Sequence, residues 1–335
     1  MGLSPVTADD ILVEGVSENV PVAGKSPSQI AFQRLRQDKM AVVCTAILVV
    51  LVLLAVFAPL ITKAMGIYWD VTNPKAPDPS SVLEFDGYPA IGPPFHGFIW
   101  SHPLGLAPQT ASDNFAYLLY GLRTSLIVAL LATIFSTIIG LVLGLLAGFS
   151  RGWLDRVISF ITDLFLSFPS LLGMLALAPI IVSNFSDNLS LLSKAQFVTL
   201  CAVLVLFGWM YLTRLIRGQV LSLREREFIQ AAEVIGVPTR QILFKELLPN
   251  LIAPMVVATS LALPGFVALE AGLSFLGLGL TSIPSLGKMV ADSASYYSDY
   301  PLYLWAPVTV FILLTLSLNL LGDSIRDAFD PKTRR

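Results

Sequence analysis

Few side chains in this sequence have the types and spacing that catalysis or metal binding requires. AGKS at 23–26 resembles the end of a phosphate-binding loop, but Asn19 stands where the complete motif has Gly, and no apolar strand precedes it. His96 and His102 lie six residues apart in a Pro-rich stretch. The sequence contains no HExxH, no GxSxG and no histidine pair with metal-ligand spacing. We therefore expect no ATP binding, no catalytic centre and no metal site in this chain.

Two cysteines and two carboxylates fall inside long apolar runs. The positions of Cys44 and Cys201 favour small buried side chains over a disulfide or a metal cluster. Asp163 and Glu270 lie near the ends of apolar runs, where an ionisable residue is a functional hypothesis. A proton relay needs several such groups. Two interpretations therefore stay open, a place in a transport pathway or a structural role in which each carboxylate is hydrogen-bonded or reaches an interface.

The composition indicates a membrane protein. Hydrophobic residues make up 55% of the 335 residues and charged residues only 13%, against about 25% charged residues in soluble domains. The net charge of −2 suggests no nucleic-acid partner. The first apolar run, at about 41–61, starts too late and is too long for a cleavable signal peptide, so we expect a retained transmembrane helix.

Six apolar runs are each long enough to cross the hydrocarbon core of a membrane as a helix. Loops rich in Pro, Gly or charge separate them. The sequence therefore predicts an all-α membrane protein with six transmembrane helices, at about 41–61, 124–148, 157–182, 198–216, 253–275 and 304–322.

The distribution of Lys and Arg predicts the orientation, because cytoplasmic segments carry an excess of these residues. With a cytoplasmic N-terminus, sixteen of the 21 fall on the inner side, and the outer side holds only Lys63, Lys75, Arg123, Lys194 and Lys288. We expect both termini to be cytoplasmic. The predicted parts are a tail at 1–39, a transmembrane domain at 40–322 with an outer loop at 62–122 and an inner loop at 217–252, and a second tail at 323–335.

The N-terminal tail divides into two parts. Residues 1–27 are polar and contain Pro and Gly, which is typical of disorder. SQIAFQRLRQDK at 28–39 can form a short helix with Ile30, Ala31 and Leu35 on one side and arginines on the other. A helix lying on the inner membrane surface and a simple basic flank both fit this pattern.

The inner loop at 217–252 is too long for a plain connector. Its first part, RGQVLSLREREFIQAAEVIG, has helical periodicity, and one face of that helix would carry Phe228, Ala231, Ala232 and Ile235. Gly236 predicts the end of the helix, and Pro238 predicts the start of the next turn. The pattern fits a surface helix that packs on its own bundle and equally an element that docks a cytoplasmic partner.

This loop resembles the cytoplasmic signature of ABC importer permeases, which reads Glu-Ala-Ala, three residues, Gly, nine residues, then Ile-x-Leu-Pro. The matching positions are Ala231, Ala232, Gly236, Leu248 and Pro249. Two positions depart from the signature, since Gln230 replaces Glu and Glu246 replaces Ile. The glutamine keeps the hydrogen-bonding capacity of Glu but loses its charge.

A second segment narrows the resemblance to the dipeptide, oligopeptide and nickel permeases. EAGLSFLGLGLTSIPSLGKMV at 270–290 is similar to their EASLSFLGLG segment, and YGLRTSL at 120–126 and FPSLL at 168–172 resemble two more of their segments. HPLG at 102–105 matches the beginning of their HPxGTDxxGRD segment, but residues 106–114 retain only its Asp, as Asp113. The resemblance covers roughly residues 30–330, and the N-terminal extension suits the second, C-type, of two permease subunits.

The resemblance implies the transmembrane domain of a type I ABC importer that forms half of a pathway for di- or oligopeptides in a prokaryotic plasma membrane. It implies a second homologous permease, two cytoplasmic ATPase subunits that bind ATP and Mg²⁺, and an extracytoplasmic substrate-binding protein. It also implies that a coupling helix at about 224–236 docks an ATPase subunit. The implied docking residues are Glu227, Phe228, Gln230, Ala231, Ala232, Ile235, Gly236 and Pro249.

Other functions are less favoured by the sequence. Nickel or another small solute fits the same family. An ion-coupled secondary transporter would show inverted repeats, broken helices and several ionisable residues at the membrane midplane, and no clear repeat is visible. A membrane enzyme would need a catalytic cluster. The spans are too uniformly apolar for their pathway-lining residues to be predicted.

Overall fold

The computed structural model describes residues 27–93, 96–150, 152–183, 189–280 and 282–330. The predicted disordered tail up to residue 26, Arg151, and the C-terminal residues 331–335 lie outside the described residues. Within the described ranges the only extended pairings are two isolated bridges, Leu83 with Pro89 and Leu106 with Asp113. The prediction of an all-α membrane fold is confirmed.

Five helical segments are long and apolar enough to cross a membrane, and a bent pair provides a sixth. The five are α2 (Lys39–Met65), α4 (Asn114–Phe149), the pair α7 (Leu189–Leu206) and α8 (Met210–Arg224), the stretch Thr239–Phe275, and α13 (Pro301–Phe329). A short helix, α12 (Leu286–Ser293), precedes the last of them. All five extend beyond the predicted spans. Each of these helices therefore includes residues that the sequence analysis assigned to the neighbouring loops.

The third span, predicted as one helix at 157–182, is broken. α5 (Trp153–Ser167) and α6 (Ser170–Ser183) meet at an angle of 82°. Pro169 lies at the break, and Phe168 before it has an extended backbone with φ −80° and ψ 134°. A proline ring clashes with a helical residue before it, so the chain leaves the helix at Phe168.

Helices α4 and α8 form the closest packing in the bundle. Gly140, Gly144 and Gly148 follow one another at intervals of four residues and form one ridge on α4. A Cβ added at Gly144 would lie 2.9 Å from the carbonyl oxygen of Thr213 and 2.7 Å from Cβ of Ile216. Glycine therefore allows the two backbones to approach, as in other small-residue contacts between membrane helices.

The N-terminal helix and the C-terminal end of the chain lie at the same end of the bundle. α1 (Pro27–Gln37) packs against α13, and Nη1 of Arg34 donates to the carbonyl oxygens of Ala328 (3.3 Å) and Asp330 (3.2 Å). Asp38 caps α2 through Met40 N at 2.9 Å and accepts from Oγ of Ser324 at 2.7 Å. The hydrogen bond from Ser324 lowers the pKa of the Asp38 carboxyl. A helix is thus present over most of the predicted stretch 28–39, at Pro27–Gln37, and it is held by protein contacts.

The segment between α2 and α4 covers the opposite end of the bundle. It contains the short helix α3 (Pro79–Val82), which is capped by Asp78. Tyr300, at the start of α13, is fully buried beneath this segment; its hydroxyl donates to the carbonyl oxygen of Pro93 at 2.8 Å and accepts from Nδ2 of Asn114 at 3.3 Å. This hydroxyl therefore links the outer segment, α4 and α13.

The divergent residues 106–114 fold back on themselves and start α4. Asp113 is buried; its Oδ1 accepts from Ala116 N at 2.7 Å, and its Oδ2 lies 2.6 Å from Nδ1 of His102. Gln109 and Ala111 have positive φ values of 62° and 58° although neither is glycine. The retained aspartate thus serves as the N-cap of α4, which places His102 against the same helix end.

Candidate partner-docking site

The inner loop consists of one short helix between two long ones. α8 ends at Arg224, and α9 (Glu227–Val234) follows after a break at Arg226, whose φ of −81° and ψ of 142° are extended. Helical structure then resumes with α10 (Thr239–Gln241), a π-helical turn at Ile242–Leu247 and α11 (Leu248–Phe275). The helix predicted at about 224–236 is therefore shorter, and only residues 225–238 lie between the two long helices.

Ile229 anchors α9 to the bundle. Its side chain is 0% exposed and belongs to a cluster with Ile216 and Val220 of α8 and with Ile242, Leu247 and Leu251. Ala232, one turn further on, is partly buried against the same cluster. Sequence reasoning missed Ile229, although its spacing of three residues from Ala232 is a helical signal for a buried pair.

Gly236 ends α9 as predicted. Its φ is +77°, and its N–H donates to the carbonyl oxygen of Glu233 at 3.1 Å. Val237 N–H donates to the carbonyl oxygen of Ala232 at 3.0 Å. These two bonds are those of a Schellman motif, in which a left-handed residue closes the last helical turn. The turn after α9 therefore has one defined geometry.

The outward side of α9 is apolar at its C-terminal end. Val234 is 85% exposed, Ile235 is 78% exposed and Phe228 is 43% exposed. Glu227, Gln230 and Ala231 are also exposed. Three of the four residues predicted to share a face, Phe228, Ala231 and Ile235, thus face away from the bundle, while Ala232 partly faces it.

Pro249 lies inside a continuous helical stretch. It follows the π-helical turn Ile242–Leu247 and is the second residue of α11. Proline has no N–H, so it cannot bond the carbonyl four residues earlier, and a wider turn before it accommodates that missing bond. Pro249 is exposed and separate in sequence from α9, whereas Leu247, two residues before it, belongs to the cluster that contains Ile229.

Two arginines of α8 hold this helix, which packs beneath α9, against α4 and α5. Arg224 is 9% exposed, donates from Nη1 to the carbonyl oxygen of Gly148 at 3.1 Å and lies over the ring of Phe149 at 5.5 Å. Arg217 pairs with both carboxylate oxygens of Asp155 in α5, at 2.6 and 2.9 Å. Sequence reasoning treated both arginines only as cytoplasmic charges, because their partners are 62 to 76 residues away.

The two candidate ionisable residues have different surroundings. Asp163 of α5 is exposed and forms an ion pair with Arg214 of α8, so it is not isolated as the sequence suggested. Glu270 is 0% exposed, and its Oε1 accepts from Oγ of Ser274 at 2.8 Å. Its Oε2 is buried and has no hydrogen-bond partner among the described residues. The ion pair favours the structural interpretation for Asp163.

Comparison with known proteins identifies the family. Residues 140–335 match the family model of the binding-protein-dependent transport system inner membrane component, and residues 26–77 match the N-terminal transmembrane domain of oligopeptide transport permease C.

Two full-length relatives are similar to the chain. One is the dipeptide transport system permease protein DppC of Alkalihalophilus pseudofirmus, with 34% identity over 92% of this chain and 91% of the relative. The other is the oligopeptide transport system permease protein OppC of Escherichia coli K12, with 33% identity over 96% of this chain and 97% of the relative.

Among solved structures, an inward-facing form of the MetNI methionine ABC transporter has the same fold. The TM-score is 0.50 at 21% identity, and the match covers 64% of this chain and 96% of that chain. This likeness confirms the predicted fold of an ABC importer transmembrane domain. The chain is a multi-pass membrane protein that belongs to the family of binding-protein-dependent transport system inner membrane components.

Proposed function

We propose that the chain is one of two membrane-spanning permease subunits of an ATP-driven importer of di- or oligopeptides. A second homologous permease completes the translocation pathway. Two cytoplasmic ATPase subunits bind ATP and Mg²⁺ and hydrolyse the nucleotide, and an extracytoplasmic binding protein delivers the peptide. The family match supports the transport role.

The observation that carries the docking role is the pairing of a buried anchor with an exposed apolar side on α9. Ile229 holds the helix to the bundle, and Val234 and Ile235 project away from it. Large apolar side chains exposed together mark sites of protein interaction. Because the cluster beneath Ile229 includes residues of α8 and of the stretch Thr239–Phe275, a force applied to α9 reaches two membrane-spanning helices.

The peptide substrate rests on the relatives. Proteins named dipeptide and oligopeptide permeases match the chain over nearly its whole length and theirs. Residues 270–290 resemble a segment of nickel permeases as well as of peptide permeases. Nickel is therefore the alternative substrate that the uptake experiment distinguishes from peptides.

Docking is tested by co-purification. The tagged chain is expressed with its neighbouring permease and ATPase subunits, extracted in mild detergent, and assayed for retained ATPase. The double variant Val234→Ala with Ile235→Ala is expected to weaken retention at least about tenfold, because apolar anchors at the centre of an interface each contribute on the order of 1–2 kcal/mol.

Phe32→Ala is the matched control, since Phe32 is an exposed apolar residue of α1, which packs against α2 and α13. Equal retention by the docking variant and the control would show that α9 is not the docking element.

The substrate is tested by uptake into cells that lack other peptide importers. Labelled tripeptide is expected to accumulate with the intact transporter and not with the transporter without its ATPase subunits. Accumulation of nickel without accumulation of tripeptide would replace the peptide assignment.

A further inference from the structure

The fourth membrane span is interrupted at its midpoint. α7 ends at Leu206 and α8 begins at Met210, inside the span Leu191–Arg224. Backbone groups freed by such a break cannot face lipid, because lipid offers no hydrogen bonds; they must face protein or a hydrated cavity. The N–H groups of Phe207 and Gly208 still donate to the carbonyl oxygens of Val203 (3.2 Å) and Val205 (3.1 Å), so the break is local, and it lies beside a cavity with polar wall residues.

A cavity of about 200 Å³ lies beside this break. α4, α8 and α11 contribute its walls, and its polar wall residues are Ser136, Thr137, Tyr211 and Thr259. Gly208, at the break, and Gly265 of α11 also line it. The space is large enough for several water molecules or for a short piece of an extended polar chain.

Ser136 has an unused hydrogen-bonding group next to this cavity. The residue is 3% exposed, and its Oγ has no hydrogen-bond partner. A buried hydroxyl without a partner is rare in folded proteins and calls for a physical explanation. Nearby, Oγ1 of Thr137 and Oγ1 of Thr259 lie 3.4 Å apart, a weak contact that a better partner can replace.

The cavity opens toward the inner end of the bundle. Tyr211 is 70% exposed and also borders a second cavity of about 670 Å³, which reaches Gln219 of α8 and Arg326 of α13. Ala258 and Ala262 line both cavities. The two cavities therefore adjoin, and the second extends toward the end of the bundle where α13 ends.

We propose that Ser136, Thr137, Tyr211 and Thr259 form a station in the translocation pathway that hydrogen-bonds the backbone amides of the transported peptide. This inference rests on the proposed peptide import. Hydroxyl groups both donate and accept, so they match the N–H and C=O of an amide. Among the described residues that line the 200 Å³ cavity none is charged. The station therefore suits the neutral backbone that all peptides share.

The small residues around the hydroxyls fit this role. Ala258, Ala262 and Gly265 leave side-chain space in the cavity wall, so peptides with different side chains can use the same hydrogen bonds. Hydroxyls are also poor ligands for nickel, which prefers nitrogen donors such as imidazole. The station therefore favours a peptide over a metal ion.

The first test asks whether the cavity is hydrated. The two natural cysteines, Cys44 and Cys201, are replaced by Ala, and Thr259→Cys or Ser136→Cys is added in the assembled transporter. A charged methanethiosulfonate reagent is expected to react with these cysteines at least about tenfold faster than with Ile138→Cys, an exposed position on α4 outside this cavity, because thiols ionise poorly in lipid.

The second test asks whether peptide occupies the cavity. Trialanine at ten times its dissociation constant is expected to slow the labelling of Thr259→Cys about tenfold, by occupancy of the site. Ser136→Ala is expected to raise the KM for trialanine about fivefold to thirtyfold while ATPase co-purification is unchanged. An N-methylated trialanine should compete poorly with trialanine in the wild type and nearly equally well in Ser136→Ala, since the lost amide and the lost hydroxyl are the same interaction.

The outcomes separate this inference from the proposed function. Absence of tripeptide uptake by the wild type overturns both. Uptake with Thr259→Cys and Ser136→Cys labelled no faster than Ile138→Cys overturns the station alone, as does rapid labelling that trialanine does not slow. Rapid, peptide-protected labelling together with the loss of discrimination against the N-methylated peptide supports it.

Discussion

At the scale of single residues, Gly236 has the most specific requirement. Its φ of +77° lies in the left-handed region, and no atom lies within 4 Å of the position that a Cβ would take. An added Cβ therefore meets no atom of the described residues, and the penalty for a substitution is conformational.

Gly236→Val is expected to destabilise the turn after α9 by roughly 1–2 kcal/mol, because β-branched residues avoid this backbone region. Gly236→Asn should cost much less, since Asn tolerates it. Peptide-stimulated ATP hydrolysis by the assembled transporter measures the effect, with strong loss expected for Val and little for Asn. Equal activity of the two variants would mean that the turn geometry does not matter for coupling.

Tyr300 has a requirement of a different kind, because its hydroxyl has buried partners. Tyr300→Phe would leave the carbonyl oxygen of Pro93 and the amide of Asn114 without this partner, which costs about 1–3 kcal/mol. We expect a lower midpoint of thermal unfolding in detergent. Tyr297→Phe is the matched control, since Tyr297 is exposed, and a similar shift in both variants would contradict the role of the buried hydroxyl.

At the scale of elements, the close contact between α4 and α8 predicts that replacing Gly by Ala has opposite effects on stability inside and outside that contact. Gly144→Ala places a methyl group against Thr213 and Ile216 and is expected to destabilise by roughly 1–3 kcal/mol. Gly218→Ala, on the exposed side of α8 with nothing within 4 Å, should be neutral or stabilise by up to roughly 1 kcal/mol. Thermal unfolding of the two variants tests the sign, and a loss of equal size at both positions would exclude close packing as the cause.

The elements also show what the sequence could predict and what it could not. Apolar runs of about 20 residues predicted where membrane helices lie, since lipid imposes a minimum length. They did not predict the 82° break in the third span or the break at Phe207–Trp209 in the fourth. Pro169 offers a local signal for the first. The second depends on the packing of Gly208 against Ser136 and Phe266, residues far away in the sequence.

The docking loop was also predicted only in part: the end of its helix was predicted, and its contacts with distant helices were not. The Ala-Ala, three-residue, Gly spacing predicted the end of α9 at Gly236, because a left-handed cap has a local sequence signal. The buried anchor Ile229 and the pairing of Arg217 with Asp155 depend on contacts between distant helices. Periodicity alone could not say which side of α9 would meet the bundle.

At the scale of the whole molecule, the fold places α1, the end of α13 and the loop with α9 at one end and residues 66–93 and 96–113 at the other. The excess of Lys and Arg predicts that the first end is cytoplasmic. In a chain without Cys44 and Cys201, Phe85→Cys should react with an impermeant thiol reagent added to right-side-out vesicles, and Gln241→Cys should react only in inverted vesicles. Both positions are exposed, so the reverse labelling pattern would invert the predicted orientation.

The helical stretch Thr239–Phe275 has a mechanical consequence. It is 37 residues long, so at 1.5 Å per residue it is a rod of about 55 Å. If such a rod pivots by 10° at its inner end, its far end swings through roughly 10 Å. Glu270, whose Oε1 accepts from Oγ of Ser274, lies close to the far end of this stretch, so a tilt at the end next to α9 displaces this buried carboxylate.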